Sequence, residues 1–72
     1  MKVILYKGAL CPKCKVIATK LEKKGIEFEA IDNVQDILAA GVRTIPTLSV
    51  DGTLYTDVKA CNEWINSLEG AQ

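Results

Sequence analysis

The segment Gly8-Ala9-Leu10-Cys11-Pro12-Lys13-Cys14-Lys15 joins a short apolar run to a stretch of helical periodicity. On one turn of helix, residues i and i+3 are neighbours. Their Cα atoms then fall within the roughly 4.4–6.8 Å that a disulfide requires. Cys11 and Cys14 can therefore join and separate with little backbone motion. Pro12 suits the first helical position, where its missing N–H has no intrahelical partner to lose. Cys11 then stands at a helix N-terminus, where unpaired N–H groups and the dipole favour an anion. Such surroundings lower a thiol pKa from about 8.5 toward about 7 or below. Lys13 and Lys15 add positive charge nearby. The segment predicts a thiol–disulfide exchange site at a strand-to-helix junction.

Upstream, Lys2-Val3-Ile4-Leu5-Tyr6 is too uniformly apolar for a strand with one wet face, which predicts a central strand covered on both sides. Gly8 breaks it. Downstream, Cys14, Ile17, Ala18 and Leu21 recur at helical spacing, predicting a helix from about Pro12 to Lys24. In that register Cys14 shares the inward face while Cys11 precedes the first full turn. The pair should thus divide into an accessible attacking sulfur and a sheltered resolving one. Lys20, Lys23 and Lys24 suit the C-terminal end of the dipole and read most simply as a solvated helix end, with Gly25 as the stop.

Ile26-Glu27-Phe28-Glu29-Ala30 alternates with period two and predicts a strand with one polar face. Asp32 or Asn33 can cap a short helix over Val34–Ala40, closed by Gly41. Thr47–Val50 reads as a strand, Asp51-Gly52 as a two-residue hairpin turn, and Thr53–Tyr55 as its return. Thr56 or Asp57 can cap a last helix bearing Val58, Cys61, Ile65 and Leu68 on one face, with Trp64 beside them. Gly70-Ala71-Gln72 reads as a frayed end. The result is one α/β domain over residues 1–72, in the order β-α-β-α-β-β-α, with a four-stranded mixed sheet flanked by helices.

Composition narrows the chemistry. Of 72 residues, 49% are hydrophobic, and nine Lys+Arg balance nine Asp+Glu, so no global basic field exists to hold nucleic acid or an anionic membrane. The apolar run Val3–Tyr6 is too short for a signal-peptide core or a membrane span, so the expected compartment is the cytoplasm, where structural disulfides are rare. There a CxxC is catalytic or metal-binding more often than a stabilising bridge. Histidine is absent, which removes Ser/Cys–His hydrolysis, imidazole bases and His-containing metal sites. One CxxC cannot complete a tetrahedral zinc site without ligands from a second chain. Cys61, on the apolar face of the last helix, reads as a small buried thiol.

Cys11-Pro12-Lys13-Cys14 at a strand-to-helix turn, with Thr44-Ile45-Pro46 about thirty residues on before a hairpin, resembles the thioredoxin-fold redoxins over roughly residues 2–68. The resemblance implies a thioredoxin fold, and catalysis by Cys11 and Cys14 with Pro46 cis beside their disulfide. It also implies that the Ile45 backbone pairs with a substrate segment, with Pro12, Lys13, Arg43 and Thr44 in the surrounding binding surface. The length and Tyr6, five residues before Cys11, look like a glutaredoxin, whereas Gly41–Leu48 looks more like a thioredoxin. Arg43 and the Ile45 backbone match groups that grip glutathione in glutaredoxins. Gly8 stands where those proteins carry a basic residue, and Thr56-Asp57-Val58-Lys59 lacks their glycines and brings in a cation. The resemblance therefore implies a monomeric protein-disulfide reductase that needs no cofactor beyond its redox-active disulfide. Its partners would be a disulfide-bearing protein, as in the small dithiol donors of ribonucleotide reductase, and a flavin thioredoxin reductase. The alternatives are a glutathione-dependent glutaredoxin, a module holding a metal or iron–sulfur cluster between protomers through Cys11, and a non-catalytic subunit.

Overall fold

The structure, a computed structural model, describes residues 2–68. Gly70-Ala71-Gln72, expected as a frayed end, lie outside the described residues. Strand β1 (Val3–Tyr6) is covered on both sides, as its composition predicts. Alternate side chains of a strand point to opposite faces. Val3 and Leu5 enter a buried cluster with Ile17, Leu21, Leu48, Val50, Cys61 and Ile65. Ile4 and Tyr6 face the other way, onto Ile31, Ile37 and Val42.

Helix α1 (Pro12–Lys23), strand β2 (Glu29–Ile31), helix α2 (Val34–Ala39), strands β3 (Thr47–Val50) and β4 (Thr53–Tyr55), and helix α3 (Val58–Ser67) follow in that order. The four strands form one mixed sheet ordered β2-β1-β3-β4. β2 runs parallel to β1, whereas β3 pairs antiparallel with both β1 and β4. α1 and α3 bury Ile17, Leu21, Cys61 and Ile65 in the main cluster on one face of the sheet, and α2 puts Ile37 into the smaller cluster on the other. The Lys20 ammonium donates to Asn62 Oδ1 at 2.7 Å and ties α1 to α3.

Local chemistry explains the boundaries. Gly25 and Gly41 take φ +71° and +80° just beyond α1 and α2, where a side chain would be strained. Asp51 and Gly52 have φ of 51° and 92°, positive at both central residues as a type I′ hairpin requires. Asn33, not Asp32, caps α2, its Oδ1 accepting from the N–H groups of Gln35 and Asp36. Asp57, not Thr56, caps α3, its Oδ1 accepting from the Ala60 N–H at 2.6 Å.

One predicted element is displaced. The alternation over 26–30 predicts a strand there, but ladder pairing begins only at Glu29, opposite Ile4. The Ile26 N–H instead donates to the Leu21 carbonyl at 3.0 Å, finishing the turn that closes α1. Ile26 and Phe28 still pack against the main core while Glu27 is exposed, so the period-two pattern records a packed loop. Among the described residues, no helix is long and apolar enough to cross a membrane.

Candidate functional site

The end of β1 and the start of β3 lie side by side, because Tyr6 pairs with Thr47. That register brings together two loops that are distant in sequence, one leading to Cys11 and the other ending at Pro46. The first leaves the sheet after the Lys7 N–H, which donates to the Ile31 carbonyl at 2.9 Å, and turns at Ala9-Leu10.

Cys11 is the N-cap of α1, with extended φ −116° and ψ 102°, and Pro12 opens the helix. The Cys11 carbonyl accepts the Lys15 N–H at 3.2 Å, and its Sγ accepts the Cys14 N–H at 3.1 Å. The sulfur thus occupies the place that a serine or aspartate oxygen fills in an ordinary cap. Cys11 and Cys14 are joined as a disulfide, with Cα atoms 5.2 Å apart. Cys14 is 1% exposed and Cys11 is half-buried, the asymmetry that the helical register predicts. The first turn of α1 carries no acidic side chain. An anion at Cys11 would therefore meet the N–H groups, the dipole and the lysines of that helix, Lys13 and Lys15, with no acidic side chain in the same turn.

In the second loop the Ile45–Pro46 peptide is cis and the Pro46 side chain is fully buried. Thr44, expected among substrate-contacting residues, has its polar groups engaged internally. Its hydroxyl donates to the Thr56 carbonyl at 2.9 Å, and its carbonyl accepts the Thr47 hydroxyl at 2.7 Å. These two bonds fix the loop between β3 and the β4–α3 connection. Pro12, Lys13 and Arg43 are exposed, and Ile45 is 42% exposed.

Two features of the site escape the sequence reading. Gly8 acts there as more than a strand breaker: a Cβ on it would lie 2.7 Å from Ile45 Cδ1 and 3.5 Å from Cys11 Cβ, so the bare backbone makes room for Ile45 beside the cysteine loop. Leu10 is 97% exposed directly before Cys11, and an apolar residue in the loop ahead of a candidate nucleophile is the sequence signal that could have found it. A depression of about 380 Å³ opens here, lined by Ala9, Leu10, Cys11, Pro12 and Lys15.

The aromatic side chains and Cys61 pack into the fold. Tyr6 is buried against Ile37 and Val42. Tyr55 and Trp64 meet with ring centroids 6.0 Å apart. Cys61 is fully buried, its Sγ 3.4 Å from the Tyr55 carbonyl, and burial first, then the Asp57 carboxylate, pushes its thiol pKa up. Among the described residues, no three Cys, Asp or Glu side chains converge in a way that could hold a metal ion. Compared with known proteins, this chain matches no family model and no curated protein.

Proposed function

We propose that this chain is a thiol–disulfide oxidoreductase of the thioredoxin-fold redoxin kind, glutaredoxin-like in size but working without glutathione. The observation that carries the reading is the unequal pair: a half-buried Cys11 at the N-cap of α1, bonded to a buried Cys14 one turn on. The β-α-β-α-β-β-α order, the mixed sheet and the cis Ile45–Pro46 peptide beside the cysteine loop agree with that family resemblance.

In the reduced protein the Cys11 thiolate attacks one sulfur of a substrate disulfide. A mixed disulfide forms and one substrate thiolate leaves. The Cys14 thiol loses its proton and attacks Cys11 Sγ, displacing the second substrate thiolate and closing the Cys11–Cys14 bond. The substrate gains two electrons from the protein and two protons, one released by Cys14 and one from solvent in place of the proton that Cys11 had already lost. The attacking species is the thiolate, so the N–H groups at the N-cap and the absence of acids in the first turn of α1 favour the first step. An NADPH-dependent flavin thioredoxin reductase would return the two electrons.

The groups around α3 favour this reductant over glutathione. Asp57 is committed to its cap and the Thr56 carbonyl to Thr44, which leaves exposed Lys59 where the γ-glutamyl end would need complementary groups. The test is NADPH-coupled reduction of a disulfide substrate, run in parallel with thioredoxin reductase and with glutathione plus glutathione reductase. Turnover with thioredoxin reductase alone is expected. Turnover with glutathione alone would show that Arg43 and the Ile45 backbone suffice to hold it. Silence in both systems would sink the oxidoreductase reading and call for metal and cluster analysis.

A further inference from the structure

The net charge of zero conceals a separation of charge. Five of the nine cations, Lys13, Lys15, Lys20, Lys23 and Lys24, fall within residues 13–24, against one acid, Glu22. Residues 27–36 carry four acids, Glu27, Glu29, Asp32 and Asp36, and no base. On α1 this charge lines a shape. A second depression, of about 290 Å³, is lined by Lys15, Val16, Thr19, Lys20 and Lys23. It shares Lys15 with the depression at Cys11, so the two adjoin and their linings together follow the groove side of the helix from Cys11 to Lys23. The groove is apolar at its head, where Leu10 is 97% exposed, and cationic along its length, with Val16 still 49% exposed beside the lysines. The Asn62 side-chain Oδ1 accepts from the Lys20 ammonium and holds it in place. A solvated helix end accounts for lysines at the last turn, but not for a groove that ends on a redox pair.

The geometry points to the class of substrate. This groove takes an acidic protein segment flanking the disulfide to be reduced, with an apolar residue next to the substrate cysteine. The inference rests on the oxidoreductase reading and specifies its substrate. A helix rises 1.5 Å per residue, so Lys15 stands about 6 Å and Lys23 about 18 Å along the axis from Cys11. An extended chain covers about 3.3 Å per residue. The acidic side chains that match the lysines therefore lie about two to six residues from the substrate cysteine.

The experiment uses the full chain, reduced with dithiothreitol and freed of excess reagent. Its substrates are disulfide peptides with leucine beside the cysteine and then five glutamates, five glutamines or five lysines, placed on either side of the cysteine. Exposed ion pairs are individually weak. Together they should give one glutamate peptide a single-turnover rate about tenfold above its glutamine counterpart at low salt, with the lysine peptide slowest. Half-molar salt should shrink that preference to within about twofold, since charges on a surface are screened over a few ångströms there. Lys23→Glu should lower the glutamate-to-glutamine ratio about threefold.

Hydroxyethyl disulfide, small and uncharged, separates the two claims. Brisk reduction of it with no charge preference among the peptides would remove the docking inference alone. Failure to reduce either it or any of the peptides would remove the oxidoreductase reading. The anisotropy of a labelled glutamate peptide with its cysteine replaced by alanine still judges the groove in that case: salt-sensitive binding weakened by Lys23→Glu supports it, and no binding ends it.

Discussion

At Gly8 the backbone runs so close to the Ile45 loop that a Cβ there would meet Ile45 Cδ1 at 2.7 Å. Gly8 is not among the glycines of positive φ, so the constraint is contact and not backbone conformation. Ile45 is partly exposed and its terminal methyl can swing outward. Gly8→Ala should therefore destabilise by only about 1 kcal/mol, while moving Ile45 away from the cysteine loop. Reduction of a peptide disulfide should fall several-fold and reduction of hydroxyethyl disulfide much less. Equal losses on both substrates would mean that Ile45 does not touch the substrate. The two cysteines have separable roles under the same reading. Cys11→Ser should abolish turnover, because no other half-exposed sulfur is available among the described residues. Cys14→Ser should accumulate a mixed disulfide that mass spectrometry detects, and a failure to trap one would reverse the assigned order of attack.

Among the elements, α3 offers the cleanest local test. Asp57 begins it with extended backbone and one carboxylate bond to the Ala60 N–H. Asp57→Ala should cost about 1 kcal/mol, which for a domain of this size is about 4–8 °C in the thermal midpoint. Asp57→Asn keeps an acceptor and should change little. A silent Ala variant would place the start of the helix elsewhere. Elements whose residues report on themselves were legible in the sequence: α1 from its period and its Pro12 and Gly25 ends, the hairpin from Asp51-Gly52, and Cys14 as the inward sulfur from its register with Ile17 and Leu21. What was not legible depended on a partner far along the chain. Ile26 and Phe28 alternate like a strand, yet only pairing with β1 decides that β2 starts at Glu29. Gly8 looks like any strand breaker until Ile45 arrives beside it. Nothing in the sequence signals that the Thr44 hydroxyl donates to the Thr56 carbonyl.

For the molecule as a whole, the two faces of the sheet are unequal. α1 and α3 together bury a large cluster on one face, whereas the six-residue α2 buries only Ile37 on the other. Local opening free energies follow buried contacts. Amides of α2 should therefore exchange with solvent well before those of β1 and the middle of α1, and equal protection would show that the sheet opens only as one unit. Global stability should also carry the signature of Cys61, fully buried in the large cluster with its thiol pKa raised by burial and by the Asp57 carboxylate. Below the ordinary thiol pKa of about 8.5, native and unfolded chains both hold this proton and pH has no effect through it. Above that value the unfolded chain releases the proton while the native chain keeps it. The native state then binds more protons, so stability falls as pH rises, by at most about 1.4 kcal/mol per pH unit, until the raised native pKa is passed. Urea unfolding of the oxidised protein, in which the Cys11–Cys14 pair does not titrate, isolates this effect when compared with Cys61→Ala. The stability advantage of the parent over the variant should be constant from pH 7 to 8 and shrink between pH 8.5 and 9.5. A constant difference across the whole range would mean that Cys61 ionises as readily in the fold as in the unfolded chain, and that the core around it admits water.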